Sequence, residues 1–187
     1  MVFSLYMEHT KSQGRIFEVV EKEVFLGKPK MTFELARRSP GVRVIVPKDG
    51  KILLSREYRH EVSGYDYRLP GGKVYDSLTE YNAALANGTD MTEAGKYAAI
   101  KEAREESGIE VSTLSHFHTS VCGSTIVWDL LYFVVHAFTT TEQELQDGED
   151  ITVEWVDAGK VRDMCLNGSI SEERSALVLL RYLNTKN

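Results

Sequence analysis

The sequence predicts an α+β fold, and three observations carry that reading. Strand-like segments crowd the first seventy residues, helical segments fall between later strands, and no regular strand–helix alternation runs through the chain. Residues 17–25 (FEVVEKEVF) and 31–37 (MTFELAR) alternate in strand fashion, and the Gly/Pro turn LGKPK between them makes them an antiparallel hairpin. Strands follow at 41–47 (GVRVIVP) and 51–59 (KILLSREYR), joined by the turn KDG, and 65–70 (YDYRLP) runs into Gly71-Gly72. Residues 77–86 predict a helix ended by Asn87-Gly88. Residues 91–107 predict a longer one, with Asp90 as cap, Glu93 at capping-box spacing and Gly108 as a left-handed stop. The run 126–138 (IVWDLLYFVVHAF) is β-branched and aromatic and predicts a buried strand; 151–157 (ITVEWVD) predicts another. A short helix near 158–166 and an amphipathic helix over 172–184, capped by Ser171, close the chain.

A chain of 187 residues fits one domain and can bury a sizeable core. No apolar run approaches the ~20 residues of a membrane span. The first residues, MVFSLYMEHTKSQG, lack the basic start and apolar centre of a secretory signal. Cys122 and Cys165 lie far apart and form no Cys-x-x-Cys. The expectation is a cytoplasmic protein with reduced thiols and no membrane partner. The net charge of −6 disfavours nucleic acid as a partner. An acidic chain that binds a phosphorylated small molecule needs local arginines or a bound cation.

The chemistry-bearing segment is 101–109, KEAREESGI. On a helix Glu102 faces Glu105 and Glu106, three and four positions on. The three carboxylates repel one another, and they sit in the last turns, where the helix dipole disfavours negative charge. Clustered hard oxygen ligands of this kind suit magnesium, or manganese, which carboxylates and substrate phosphates hold together.

That segment resembles the signature of the Nudix family, Gly-x5-Glu-x7-Arg-Glu-U-x-Glu-Glu-x-Gly-U, with U a bulky aliphatic residue. Glu93, Glu102, Glu105, Glu106, Gly108 and Ile109 fill their places, Ala98-Ala99 matches the usual small pair, and Leu69-Pro70-Gly71-Gly72 looks like the strand end and glycine turn that open the box. There are three departures. Lys101 replaces the family's arginine, a point charge in place of a planar fork. Ala103 replaces the aliphatic residue. Twenty residues separate Gly72 from Glu93 where the family has five, so residues 73–90 read as an inserted loop and helix beside the site.

The resemblance implies a Nudix-type α/β/α sandwich with a mixed sheet, in a single domain spanning 1–187. Over roughly 15–185 the chain is similar to the ADP-ribose pyrophosphatase branch. That likeness implies metal-assisted hydrolysis of a nucleoside diphosphate linked to a second group, such as ADP-ribose to AMP and ribose 5-phosphate. It implies metal ligation by Glu102, Glu105, Glu106 and the Gly72 carbonyl, and a bracing role for Glu93, Lys101 and Gly108. It places the general base at Glu149 of the late loop or at Glu102, with Glu142 and Glu144 as weaker matches. Arg59 of the Gln/Glu-aromatic-Arg element, Arg68, and Arg38 or Arg37 are expected on substrate; Lys73 flanks the same turn. Phe17, Tyr58 and Tyr65 are candidate partners for an adenine ring or members of the core. A homodimer is expected, with the segment 1–38 at its interface. His116 and His118 share a strand face, but no Cys or carboxylate cluster accompanies them, so they read as exposed strand histidines and not as a zinc site. The competing functions are a nucleoside-triphosphate pyrophosphohydrolase and a non-catalytic ligand sensor on the same fold.

If the clustered carboxylates hold metal, Glu106→Gln removes more than nine-tenths of magnesium-dependent turnover, more than about 1.4 kcal/mol of barrier. Turnover above a tenth of the parent's, in a variant with an unchanged circular dichroism spectrum, counts against the assignment.

Overall fold

The computed structural model describes residues 6–25, 30–60 and 63–185. The strands are β1 (Tyr6–Gln13), β2 (Glu18–Val24), β3 (Met31–Arg37), β4 (Gly41–Ile45), β5 (Pro47–Lys48), β6 (Lys51–Arg59), β7 (Gly64–Arg68), β8 (Ile109–Ser120), β9 (Ile126–Val127), β10 (Leu130–Thr140) and β11 (Ile151–Asp157). The helices are α1 (Leu78–Ala86), α2 (Met91–Ser107), α3 (Ala158–Leu166) and α4 (Glu173–Asn184). The fold is α+β, as the sequence predicts. Among the described residues no helix is long and apolar enough to cross a membrane.

Alternation along the central strands builds the layers. In β4 and β10, Val42, Val44, Leu131, Phe133 and Val135 face α2, packing on its Ala98, Ala99 and Ala103. Their neighbours Ile45, Leu130, Tyr132 and Val134 face the other way, onto Val161, Met164, Leu179 and Tyr182 of α3 and α4. Strands buried on both faces read as continuous apolar runs, which is why 130–135 looks uniformly hydrophobic. The sheet is mixed: β10 runs parallel to β4 and antiparallel to β8. A second sheet joins β11, β6 and β5, with β7 also paired to β6. Asp49-Gly50 makes the tight turn between Lys48 and Lys51.

The N-terminal hairpin forms between β2 and β3. Most of its expected turn, residues 26–29, lies outside the described residues. The hairpin gains two neighbours: β1 pairs with β2, and the short β9 runs parallel to β3. The expected single strand over 126–138 is therefore two. Ile126 and Val127 pair with Ala36 and Arg37, whereas Leu130 onward pairs with Gly41 onward. The chain changes sheets at Trp128-Asp129, opposite the same change at 38–40.

Caps follow local chemistry with two corrections. Asp90 accepts from the N–H groups of Thr92 and Glu93, at 2.8 and 3.3 Å. A full reciprocal capping box occurs instead at α1, between Ser77 and Glu80. Ser171 does not cap α4: Glu172 is the residue before its first turn and caps with no side-chain bond. The Ser171 hydroxyl instead donates to Asp66 Oδ2 at 2.7 Å, and that bond ties the start of α4 to β7.

The segment expected as an insertion, 73–90, is packed against the rest of the chain through Lys73–Tyr75 and α1. Lys73 bridges to Gly41, Val74 N–H donates to the Pro40 carbonyl, and Tyr75 N–H donates to Ser39 Oγ. Leu78, Tyr81 and Ala84 of α1 are buried. Asn82 Nδ2 donates to Glu18 Oε2 at 3.1 Å, and Arg37 holds the other oxygen of that fully buried carboxylate at 2.7 Å.

Candidate active site

Two glycines let the box helix and the central sheet meet. Gly71 has φ +154°, and a Cβ there would overlap the Val42 carbonyl. A Cβ on Gly72 would overlap the Glu102 carboxylate. The turn therefore lies against β4 on one side and the α2 carboxylates on the other. Val44 N–H donates to the Pro70 carbonyl and Val42 N–H to the Gly72 carbonyl, both at 2.9 Å. The latter uses one of the two lone pairs of Gly72. Gly71 N–H donates to Glu106 Oε2 at 2.8 Å.

Burial dominates the electrostatics of these acids. It pushes Glu106 up to about 8; the Gly71 N–H and Arg43 pull it down, while the charges of Glu102 and Glu57 raise it further. Burial pushes Glu102 up to about 7, against the pull of Lys101 and with the push of Glu105, Glu149 and Asp76. Glu105 Oε2 is buried and accepts no hydrogen bond from the described residues, while Lys101 Nζ stands 3.7 Å away. A buried carboxylate oxygen without a donor and two acids held above their usual range together describe a place that lacks positive charge. That donor set fits a hard divalent cation. Among the described residues no three His, Cys, Asp or Glu side chains already converge on one point.

Beside the turn lies a cavity of about 240 Å³. Arg38, Arg43, Arg59, Arg68 and Lys73 line it, against only Glu57 and Glu106 among acids. An acidic chain thus presents a locally cationic hollow, the condition set above for binding a phosphorylated molecule. Ser55, Glu57 and Arg59 reach it by alternation along β6, which sends Tyr58 to the other face. Arg59 pairs with Glu57 at 2.7 Å, and Arg68 is braced by Asp66 at 2.8 Å. Arg38 is the member of its pair that reaches the cavity; Arg37 is committed to Glu8 and Glu18. The Arg38 guanidinium lies 4.6 Å from the ring centre of Trp128 and 5.3 Å from that of Phe17. Burial and the neighbouring Arg43 lower its pKa.

The other expected residues are distributed as follows. Tyr58 packs edge-on against Tyr65 and His60, and Tyr65 bonds Asp150, so neither ring lines the cavity. Glu149 is exposed, but it stands close enough to Glu102 for its charge to act there. Glu144 is held by Arg104 at 2.6 Å. Glu93 sits exposed in the first turn of α2. Gly108, at φ +61°, ends the helix, and its carbonyl accepts from Thr141 N–H at 2.8 Å. Gln143 donates to the carbonyls of Glu106 and Ile151. Gly108 and Gln143 together fix the path of the loop that carries Glu149. His118 contacts Arg181, and His116 contacts Thr119, so the two strand histidines have separate partners.

Three residues of the site were not expected from the sequence. Trp128 lines the cavity and is flanked by Arg38 and by Arg174, whose guanidinium lies 5.4 Å from the ring centre. Arg43 lines the cavity and forms two bonds to Glu172, at 2.9 and 2.7 Å. Burial pushes Glu172 up, but the bonds from Arg43 and Ser175 outweigh it and hold the acid below the usual carboxylate range. A charged residue amid the apolar alternation of GVRVIVP was the available signal for Arg43, because a buried charge requires a partner. Gln143 had no local signal.

The family model of the NUDIX domain matches residues 37–173. The chain belongs to the NUDIX family. A crystal structure described as an ADP compounds hydrolase shares the fold, at a TM-score of 0.69 and 18% identity, over 98% of this chain and 96% of the other. No curated protein matches the chain by sequence.

The raised acids link stability to pH. The folded chain keeps protons on Glu102 and Glu106 up to about 7 and 8, where the unfolded chain loses them near 4.5. The folded state binds more protons in that window, so this contribution to stability falls as pH rises through it. In metal-free buffer the urea midpoint of the parent, relative to a Glu102→Gln/Glu106→Gln double variant, is expected to drop between about pH 5 and pH 8, and magnesium to restore it. A difference that stays flat or rises with pH contradicts the assigned burial.

Proposed function

We propose that this NUDIX protein hydrolyses the pyrophosphate of a nucleoside diphosphate linked to a second group, with ADP-ribose as the preferred substrate among common compounds. The observation that carries the reading is the set of desolvated carboxylates on α2, under a glycine turn, at the edge of a cavity lined by five basic side chains. The likeness to an ADP compounds hydrolase supports the ADP half of the substrate.

Glu102, Glu105 and Glu106, with the remaining lone pair of the Gly72 carbonyl, would hold magnesium, or manganese in its place. When bound, the cation neutralises phosphate oxygens and acidifies water. The residues of the chain do the rest. Arg59 and Arg68, each fixed by an acid, take phosphate oxygens in a set orientation. Arg38, which pairs with no acid among the described residues, adds a cation against the wall formed by Trp128. Charge that builds on the phosphoryl oxygens in the transition state is met by these prepositioned groups. Glu149, or Glu102 itself, accepts the proton of the attacking water. The water oxygen bonds to one phosphorus, the bridging P–O bond breaks, and two monophosphates leave.

A panel of ADP-ribose, nucleoside diphosphate hexoses, dinucleoside polyphosphates and nucleoside triphosphates, at one magnesium concentration, tests the substrate. ADP-ribose is expected to have the highest kcat/KM. A triphosphate ahead by tenfold overturns the substrate assignment.

The protein is further proposed to be a homodimer through the β1–β3 sheet. Met7, Phe25, Met31 and Phe33 of this segment are exposed, a surface suited to a self-complementary two-fold interface. Light scattering at micromolar concentration is expected to give twice the chain mass; the mass of a single chain rejects it.

A further inference from the structure

One cation of the cavity comes from inside the central sheet. Arg43 stands in β4 between Val42 and Val44, is buried, and lines the hollow beside the glycine turn. A guanidinium carries five N–H groups in one plane. Arg43 Nε and Nη2 donate to the two oxygens of Glu172 at 2.9 and 2.7 Å, and Nη1 donates to the Val42 carbonyl at 2.9 Å. One hydrogen on each terminal nitrogen is left over, and no acceptor among the described residues takes either. The charge of Arg43 also acts on Glu106, so the guanidinium stands near the α2 carboxylates as well. Burying an ion pair is costly, and an apolar pair of similar size would join strand and helix at least as well. What the ion pair adds is two unused donors at the wall of a hollow.

Glu172 is fixed in its turn. It precedes the first turn of α4, yet its carboxylate caps no N–H of that helix. It accepts instead from Arg43 and from the Ser175 hydroxyl, and Ser175 Oγ lies 3.1 Å from the Tyr132 hydroxyl. Ser175 and Tyr132 are fully buried, which leaves the network little freedom to move. The start of α4 supports two more parts of the wall. Ser171 bonds Asp66, which braces Arg68, and Arg174 donates to the Trp128 carbonyl at 2.9 Å.

We propose that Arg43 is a further substrate-binding residue, giving its two remaining N–H groups to phosphate oxygens of a diphosphate, and that Glu172 is its positioning residue. The proposal rests on the diphosphate-hydrolase reading of the neighbouring carboxylates and cavity. Two N–H groups held in one plane match two oxygens of one phosphate; a lysine ammonium, a point charge on a flexible stem, does not. Among the acid-paired arginines of the cavity Arg43 is the most enclosed, with 10% of its side chain exposed against 29% for Arg59 and 21% for Arg68. A bond it makes is therefore the least weakened by water.

The probe is α,β-methylene ADP, a diphosphate whose bridge water does not cleave, titrated calorimetrically at one magnesium concentration. Arg43→Lys keeps the charge and is expected to weaken binding at least tenfold; a loss under threefold overturns the role of Arg43. Glu172→Gln keeps the shape of the side chain. It is expected to weaken binding at least fivefold alone, but less than twofold once Arg43→Lys is present, because the fork it aims is gone. Equal losses in both backgrounds overturn the positioning role. Should Arg43→Lys fail to fold, the paired replacement Arg43→Met/Glu172→Leu leaves no orphan charge and carries the same tenfold expectation. A parent that binds the probe but cleaves no member of the substrate panel rejects the hydrolase reading and leaves the Arg43 comparison intact. A parent that does not bind the probe overturns the proposal.

Discussion

The seating of α2 on the central sheet is the contact from which the site follows. Ala98, Ala99 and Ala103 bring the helix close to Val42, Val44, Leu131 and Phe133. At that distance the last turns of the helix meet the glycine turn at Gly72, where a Cβ would overlap the Glu102 carboxylate. Glu106 finds the Gly71 N–H because of this approach, and Glu102 is drawn out of water by it. A bulkier helix face would lift the carboxylates away from the turn and return them to solvent, where they would titrate as ordinary acids.

Charge is arranged in opposition to the composition. The chain carries six more acids than bases, yet the hollow beside the glycine turn is lined by five cations. Three of the arginines are tied to carboxylates: Arg43 to Glu172, Arg59 to Glu57 and Arg68 to Asp66. Such pairs contribute modestly to stability, but they hold planar forks in fixed directions, which matters for recognising phosphate. Arg38 differs, with aromatic rings in place of an acid, and its charge is less neutralised than theirs.

Much of the fold was legible where the determinants are local. Asp90, the small pair Ala98-Ala99 and Gly108 mark α2 because cap, packing face and stop each have their own residue chemistry. Strand β1 was not foreseen, since YMEHTKSQ is polar and Met7–Gln13 stays exposed. The break at Trp128-Asp129 was hidden for another reason: the apolar pattern continues across it, and only the change of pairing partner divides the strand. The carboxylate cluster and Arg38, Arg59 and Arg68 were named from motif and position. Trp128 and Arg43 looked like strand interior, and their place in the cavity depends on Arg174 and Glu172, far away in sequence.

The parallel pairing of β4 with β10 bears on what a long segment between Gly72 and Glu93 costs. Val42 lies opposite Leu131, so the two strands close a loop of 131 − 42 = 89 residues. Loop-closure entropy grows only with the logarithm of length. Lengthening such a loop from about 74 to about 89 residues raises the cost by roughly 0.2 kcal/mol. An insertion of the same size in the two-residue turn at Asp49-Gly50 would meet a far steeper penalty. The long crossover that makes the central sheet slow to assemble is therefore also the segment where new chain could be added at least expense to the native state.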